Sequence, residues 1–129
     1  MNDPNWTYVE SLKLWVMNTL VKQGAFGMAP EGFSRSQISY FDAERYATAR
    51  SARIMTADEW DIILAAAYPQ ISIGDMWEWT STCEDNLYIY RGGSWYLGPS
   101  RPRVAYRDAH DPSYAYGGLG FRLVKDNKD

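Results

Sequence analysis

The sequence predicts a single α+β domain, helical in its first part and built of strands and turns in its second. Three observations carry this reading. Before Pro69 apolar residues recur at three- and four-residue spacing, the signature of amphipathic helices. After Pro69 aromatic residues alternate with polar ones at period two, the signature of a strand with one buried face. A chain of 129 residues with 46% apolar and 22% charged side chains is long and apolar enough to bury one core without metals or disulfides. The expected division is 1–70 for the helical part and 71–129 for the strand and loop part.

Trp6, Val9, Leu12, Trp15, Val16, Thr19 and Leu20 fall on one face of a first helix. Asp3 is its N-cap, Pro4 its first helical residue, and Gly24 and Gly27 its stop. Met28–Ser36, with its proline, glycine and serines, reads as a loop. Ser39 and Asp42 resemble a capping box opening a second helix to about Ala49, with Phe41, Tyr46 and Ala49 as its packing face. Thr56 and Glu59 form a full capping box for a third helix, Ala57–Ala67. Trp60, Ile63, Leu64 and Ala67 face inward, and Pro69 ends it.

Met76–Thr80 is then a strand with Trp77 and Trp79 on its buried side, because large aromatics two apart dominate packing. Leu87–Tyr90 is a second strand and Leu119–Val124 a third. Gly92-Gly93 marks a bulge or a close backbone approach; a phosphate-cradling loop would need a different glycine spacing, a lysine and a following helix. Between Tyr96 and Gly118 lie 23 residues with three prolines and little periodicity. A loop of that length in a small domain is usually functional.

Composition excludes several function classes. One cysteine, Cys83, and one histidine, His110, rule out a disulfide, a multi-Cys zinc site and a multi-His metal centre. A net charge of -3 gives no electrostatic footprint for nucleic acid. No apolar run approaches the roughly 20 residues of a membrane span, so a soluble domain without membrane insertion is expected. Asp75, Glu78, Glu84, Asp85, Asp108 and Asp111 are the carboxylates from which an acid/base pair could be drawn, and no spacing singles out two of them.

Five segments carry a family resemblance: Tyr40–Ala47 (YFDAERYA), Thr56–Trp60 (TADEW), Gly74–Trp79 (GDMWEW), Arg91–Trp95 (RGGSW) and Gly120–Val124 (GFRLV). In this order and spacing the chain resembles the formylglycine-generating-enzyme, or sulfatase-modifying-factor, family. The resemblance implies a C-type-lectin-type fold, with helices packed on a small twisted antiparallel sheet and long irregular loops. It departs from the enzymes at the chemistry: their copper is held by two cysteines near the RGGS segment, and no cysteine follows Ser94 here. A histidine cluster, as in related iron-dependent synthases, cannot be made from His110 alone. No catalytic residue, metal ligand or cofactor is therefore expected.

A second branch of this fold is nearer. The chain resembles the variable proteins of diversity-generating retroelements, in which the stretch between RGGS and GFRLV is rewritten by adenine-directed mutagenesis to form a ligand-binding surface. The rewritten codons, of asparagine type, cannot encode Lys, Glu, Gln, Met or Trp. Tyr96–Gly118 contains none of these. The rest of the chain carries four Lys, six Glu, three Gln, five Met and six Trp, a density at which about five would fall in such a stretch. Loops also favour Gly, Pro, Ser, Tyr and Asp for their own reasons. Tyr with small polar residues is the composition of antibody-like paratopes.

The resemblance implies variable, ligand-binding positions at Tyr96, Leu97, Gly98, Ser100, Arg101, Tyr106, Asp108, Ala109, His110, Ser113, Tyr114, Tyr116, Gly117 and Gly118. Tyr106 can equally be packing its own strand. Arg103, Val104, Ala105, Arg107, Asp111 and Pro112 match recurring family positions and are expected to be fixed, with an arginine pairing Asp111 at an Asp-Pro turn. The expected partner is a protein or glycan, for viral or cell-surface attachment. The alternatives are a fixed-sequence C-type-lectin-like module and a degenerate enzyme of the same family.

Overall fold

A computed structural model describes residues 3–74, 76–92 and 107–127. Asp75, residues 93–106 and the two residues at either end lie outside it. In chain order the elements are β1 (Trp6–Val9), β2 (Leu14–Met17), a 3-10 turn (Ala25–Gly27), α1 (Tyr40–Ala49), β3 (Arg53–Ile54), α2 (Ala57–Ala66), β4 (Trp77–Glu84), β5 (Leu87–Arg91), β6 (Arg107–His110), β7 (Leu119–Gly120) and β8 (Leu123–Asp126). They form two four-stranded sheets, ordered β1-β2-β8-β3 and β6-β5-β4-β7. The first is antiparallel throughout; the second contains one parallel pair, β4 with β7.

The expected first helix is instead the hairpin β1–β2. Its residues are aromatic and β-branched, Trp-Thr-Tyr-Val and Leu-Trp-Val-Met, which suits a pleated surface better than a helix. Val9, Leu14 and Val16 are fully buried, with Leu14 and Val16 two apart on one face. A four-residue turn joins the strands, closed by Leu12 N–H to Val9 O and Lys13 N–H to Glu10 O, with Lys13 at φ 52°. Three- and four-residue spacing across that turn imitates a helical face. Asp3 does not cap a helix; its Oδ1 accepts from Asn5 N–H at 2.9 Å. Gly24 and Gly27 belong to the small turn, where Gly24 N–H reaches Met28 O at 2.9 Å.

Both capping boxes are present, at Ser39/Asp42 and Thr56/Glu59. Helix α1 buries Tyr40, Ala43 and Ala47 rather than Phe41 and Ala49, which are exposed; Tyr46 is half-buried against Phe33. Helix α2 buries Ala57, Trp60 and Ile63, while Ala67 is exposed and closes the helix in the left-handed region, two residues before Pro69.

Trp79 is fully buried, and its indole Nε1–H donates to Ile38 O at 3.0 Å. It anchors one core cluster, with Tyr40, Ala47, Tyr90, Leu119 and Phe121. Trp60 anchors the other, with Val9, Leu14, Val16, Met55, Ile63 and Val124. Strands β4 and β5 are joined by the two-residue turn Asp85-Asn86, both at positive φ, as a tight hairpin requires. Gly92 is at φ 115°, and a Cβ there would lie 2.3 Å from Met76 O; this is the close backbone approach that the glycine pair announced.

The expected strand Leu119–Val124 is two strands in different sheets. Phe121 and Arg122 make the passage between them. Phe121 bridges Val21 in both directions, at 2.7 and 3.0 Å. Arg122 is fully buried and pairs with equally buried Glu78 through Nε to Oε2 at 3.0 Å and Nη2 to Oε1 at 3.2 Å. Its remaining N–H groups reach the carbonyls of Met17, Asn18 and Ser72, so all five donors are used. Glu78 thus belongs to the frame, and the face of β4 opposite the tryptophans is also buried.

Removing one member of a buried pair leaves the other charge uncompensated. Arg122→Leu is expected to cost about 3–5 kcal/mol in urea unfolding; a loss below about 1 kcal/mol would show that the pair does not hold the sheets. A second pair works nearer the surface. Arg53 forks onto Glu59 at 2.8 and 2.8 Å and onto Asp126 at 2.9 and 3.0 Å. Burial pushes the Glu59 carboxyl up, but Arg53 and the Thr56 amide outweigh it and leave it below its usual range. A carboxyl lowered by folding adds stability above its unfolded pKa and loses it on acidification. Melting temperature should therefore fall as pH drops below about 4.5, and Glu59→Gln should flatten that dependence; an unchanged slope would refute the pairing's contribution.

Candidate functional site

Residues 107–118 of the expected 96–118 loop lie among the described residues. Residues Arg107–His110 form β6, an edge strand antiparallel to β5 with Tyr88 opposite His110, Ile89 opposite Ala109 and Tyr90 opposite Asp108. Its residues carry no apolar alternation, which is why the sequence reads as loop. Strand alternation puts Asp108 and His110 on the face of Tyr88 and Tyr90, and Ala109 on the other face with Ile89.

The chain then turns at Asp111-Pro112. Asp111 Oδ1 accepts from the Ser113 amide at 2.9 Å and from the Ser113 hydroxyl, and Tyr114 N–H closes onto Asp111 O at 3.1 Å. These hydrogen bonds from Ser113 hold the Asp111 carboxyl below its usual range. The expected Asp-Pro turn is present, held by Ser113 rather than by an arginine among the described residues. Pro112 O accepts from Phe41 N–H at 3.3 Å, which ties the turn to the start of α1.

This turn folds two tyrosines back over β6. His110 and Tyr114 stack at 3.7 Å with planes 7° apart. Tyr90 lies 6.2 Å from His110, nearly parallel, and Tyr116 lies 5.9 Å from Tyr114. Four rings thus form one continuous ladder. Its inner end is buried Tyr90, edge-on to Trp77 and Trp79; burial and the adjacent Asp108 carboxylate raise its hydroxyl pKa. Its outer members, His110, Tyr114 and Tyr116, are half-exposed.

Of the expected variable positions among the described residues, His110, Tyr114 and Tyr116 are joined by ring contacts, and Asp108 shares their face of β6 while Ala109 is turned away. Ser113 sits in the Asp111 turn, Gly118 lies beside the Tyr116 ring and Gly117 beside Gln23. Tyr96, Leu97, Gly98, Ser100, Arg101 and Tyr106 lie outside the described residues, as do Arg103, Val104 and Ala105. Tyr114 and Tyr116 also pack against the Trp79 core, so they serve the frame and the face together. Two residues of the site were missed in the sequence. Tyr90 could have been found from its period-two spacing with Tyr88; Gln23, whose Oε1 would lie 2.6 Å from a Cβ on Gly117, left no signal.

Gly118 is constrained as well. A Cβ there would sit 2.7 Å from the Tyr116 ring, so the two positions are coupled. Gly118→Ser should destabilise the chain by about 1–2 kcal/mol with Tyr116 present and by markedly less in a Tyr116→Ser background. Strict additivity of the two changes in a thermal double-mutant cycle would disprove the coupling.

Among the described residues no group of three His, Cys, Asp or Glu is placed to hold a metal ion, and no helix is long and apolar enough to cross a membrane. Cys83, the sole cysteine of the sequence, is an exposed thiol near the end of β4. A two-thiolate copper site does not fit this donor set.

Two curled sheets, two helices and a strand, β6, paired on the edge of the second sheet define an α+β domain of C-type-lectin type. Comparison with known proteins agrees. The family model described as sulfatase-modifying factor enzyme 1-like domain matches residues 72–127, a span holding the GDMWEW, RGGSW and GFRLV motifs. Two similar solved structures are the Major Tropism Determinant U1 variant, at TM-score 0.68, and the I1 variant, at 0.70. Both are 12% identical to this chain and cover 97% and 98% of it. The chain spans 53% of the length of each. No curated protein matches it by sequence.

Proposed function

We propose that this chain is a target-recognition protein whose binding surface is the edge of the second sheet and the turns after it. Its side chains there are rewritten by a diversity-generating retroelement, for viral or cell-surface attachment. The observation that carries the reading is the ladder from Tyr90 through His110 and Tyr114 to Tyr116. It presents half-exposed aromatic groups that run outward from buried Tyr90 and Trp79. Aromatics with small polar neighbours give large contact area at low entropic cost. The likeness to tropism determinants supports the same reading.

The rewritten positions are Asp108, Ala109, His110, Ser113, Tyr114, Tyr116, Gly117 and Gly118, together with Tyr96, Leu97, Gly98, Ser100, Arg101 and Tyr106; of these Ala109, on the opposite face of β6 from His110, makes no contact to the ligand. The partner is a protein or glycan rather than nucleic acid, and the chain acts without catalysis or a cofactor. A fixed-sequence C-type-lectin-like module is the second reading, favoured by the contact between Tyr116 and Gly118, which limits free variation there.

Two measurements test the proposal. The DNA around the coding region should contain a reverse transcriptase and a near-copy of the 3′ end that differs only where the copy has adenine; absence of both supports the fixed-sequence module. A displayed library randomised at Asp108, His110, Ser113 and the 96–101 segment should keep most members folded, with changes at exposed positions within about 0.5 kcal/mol, and should yield binders to an arbitrary protein such as lysozyme. Widespread unfolding of the library would end the proposal.

A further inference from the structure

We propose that the cleft between α1 and residues 32–35 is a second binding site, for the carboxylate or sulfate group of an acidic saccharide. The cleft has a volume of about 290 Å³, close to the lower end of small-molecule sites. Three arginines line it, and one carboxylate faces them. Arg35 Nη2 donates to Asp42 Oδ2 at 3.3 Å and Arg45 Nη1 to Asp42 Oδ1 at 3.4 Å. Arg50 meets no carboxylate among the described residues; its Nη1 donates to the Tyr46 carbonyl at 3.2 Å.

Asp42 cannot neutralise this group, because one carboxylate offsets only one of three guanidinium charges. The same carboxylate accepts from the Ser39 amide in the capping box of α1. Burial pushes its carboxyl up, yet the Ser39 and Arg35 hydrogen bonds hold it below its usual range. The cleft therefore keeps two positive charges in excess. Each guanidinium has five N–H donors in a planar fork, and each places one of them in a hydrogen bond named above. Most donors are left for a ligand, and the fork matches carboxylate, sulfate and phosphate oxygens.

Arg35 and Arg45 are mostly exposed, at 61% and 76%, but Arg50 is held in place. The Arg50 guanidinium lies 3.4 Å from the centre of the Tyr46 ring. That ring stacks on Phe33 at 5.1 Å and 17° and meets core Phe121 edge-on at 5.5 Å. A cation held on an aromatic face has less rotamer freedom to lose when it binds. Gly32, at φ 91°, keeps the wall low: a Cβ there would lie 3.4 Å from Tyr46 and 3.8 Å from the Arg50 guanidinium. The volume exceeds what an oxyanion alone fills, which leaves room for an attached sugar ring.

The test is calorimetric titration of the intact chain with glucuronate and glucose 6-sulfate, against glucose and inorganic sulfate as controls. Side-chain Nε–Hε signals of the arginines are followed by NMR. Saturable, salt-sensitive binding of at least one acidic sugar is expected, with the Arg50 signal shifting. Arg50→Gln should weaken it about tenfold or more, and Arg50→Lys, which keeps the charge without the fork, by less. Tyr114→Ala should leave this affinity within about twofold, which separates the cleft from the recognition face. No saturable binding, equal binding of glucose, or an unchanged affinity in Arg50→Gln on a folded variant would overturn the site. Inorganic sulfate binding as tightly as the sugars would overturn the saccharide assignment.

Discussion

The buried pair of Arg122 and Glu78 is the constraint around which the two sheets are arranged. Arg122 leaves the second sheet at β7 and enters the first at β8, and it is held at that passage by a carboxylate from β4 and by carbonyls from Met17, Asn18 and Ser72. A charge in that position is tolerated only with every donor satisfied. Satisfying them fixes the height of β4, the end of the N-terminal hairpin and the segment before β4 at once. The aromatic cluster around Trp79 and the aliphatic cluster around Trp60 lie on either part of this junction and supply the apolar burial that makes the arrangement stable.

What could be read from the sequence was local in origin. Both helices after Ser39 begin at capping boxes, whose geometry is settled within four residues, and both start where expected. Strands β4 and β5 were legible in part, through the alternation at Met76–Thr80 and the apolar run Leu87–Tyr90, though not the Asp85-Asn86 turn that joins them. The N-terminal hairpin was not, because its spacing satisfies a helical face too and the deciding partner, β8, is over a hundred residues away in the chain. The break between β7 and β8 likewise depends on Glu78, which appears in the sequence as one carboxylate among several. β6 has no period of its own; it is a strand because β5 offers an unpaired edge.

The candidate face shows the same division between frame and surface, though the boundary runs through individual side chains. His110 and Asp108 project from an edge strand whose backbone pairing does not depend on what they are. Tyr114 and Tyr116 reach the Trp79 core with one part of each ring and solvent with the other. Gly118 is smaller than its backbone demands, since the neighbouring ring occupies the space that a side chain would need. Diversity on such a surface is freest at the strand and at the turn apex, and narrowest where rings close over the core.

The place of β8 in the first sheet has a consequence for inheritance as well as for stability. It lies between β2 and β3, so the hairpin β1–β2 waits for residues more than a hundred positions further along before its sheet is complete. Any insertion or deletion of bases upstream that shifts the reading frame erases β8 and Arg122 together and leaves that hairpin without a neighbour. A gene edited repeatedly just ahead of this strand would therefore pass on, as working protein, only those copies whose translation stayed in phase.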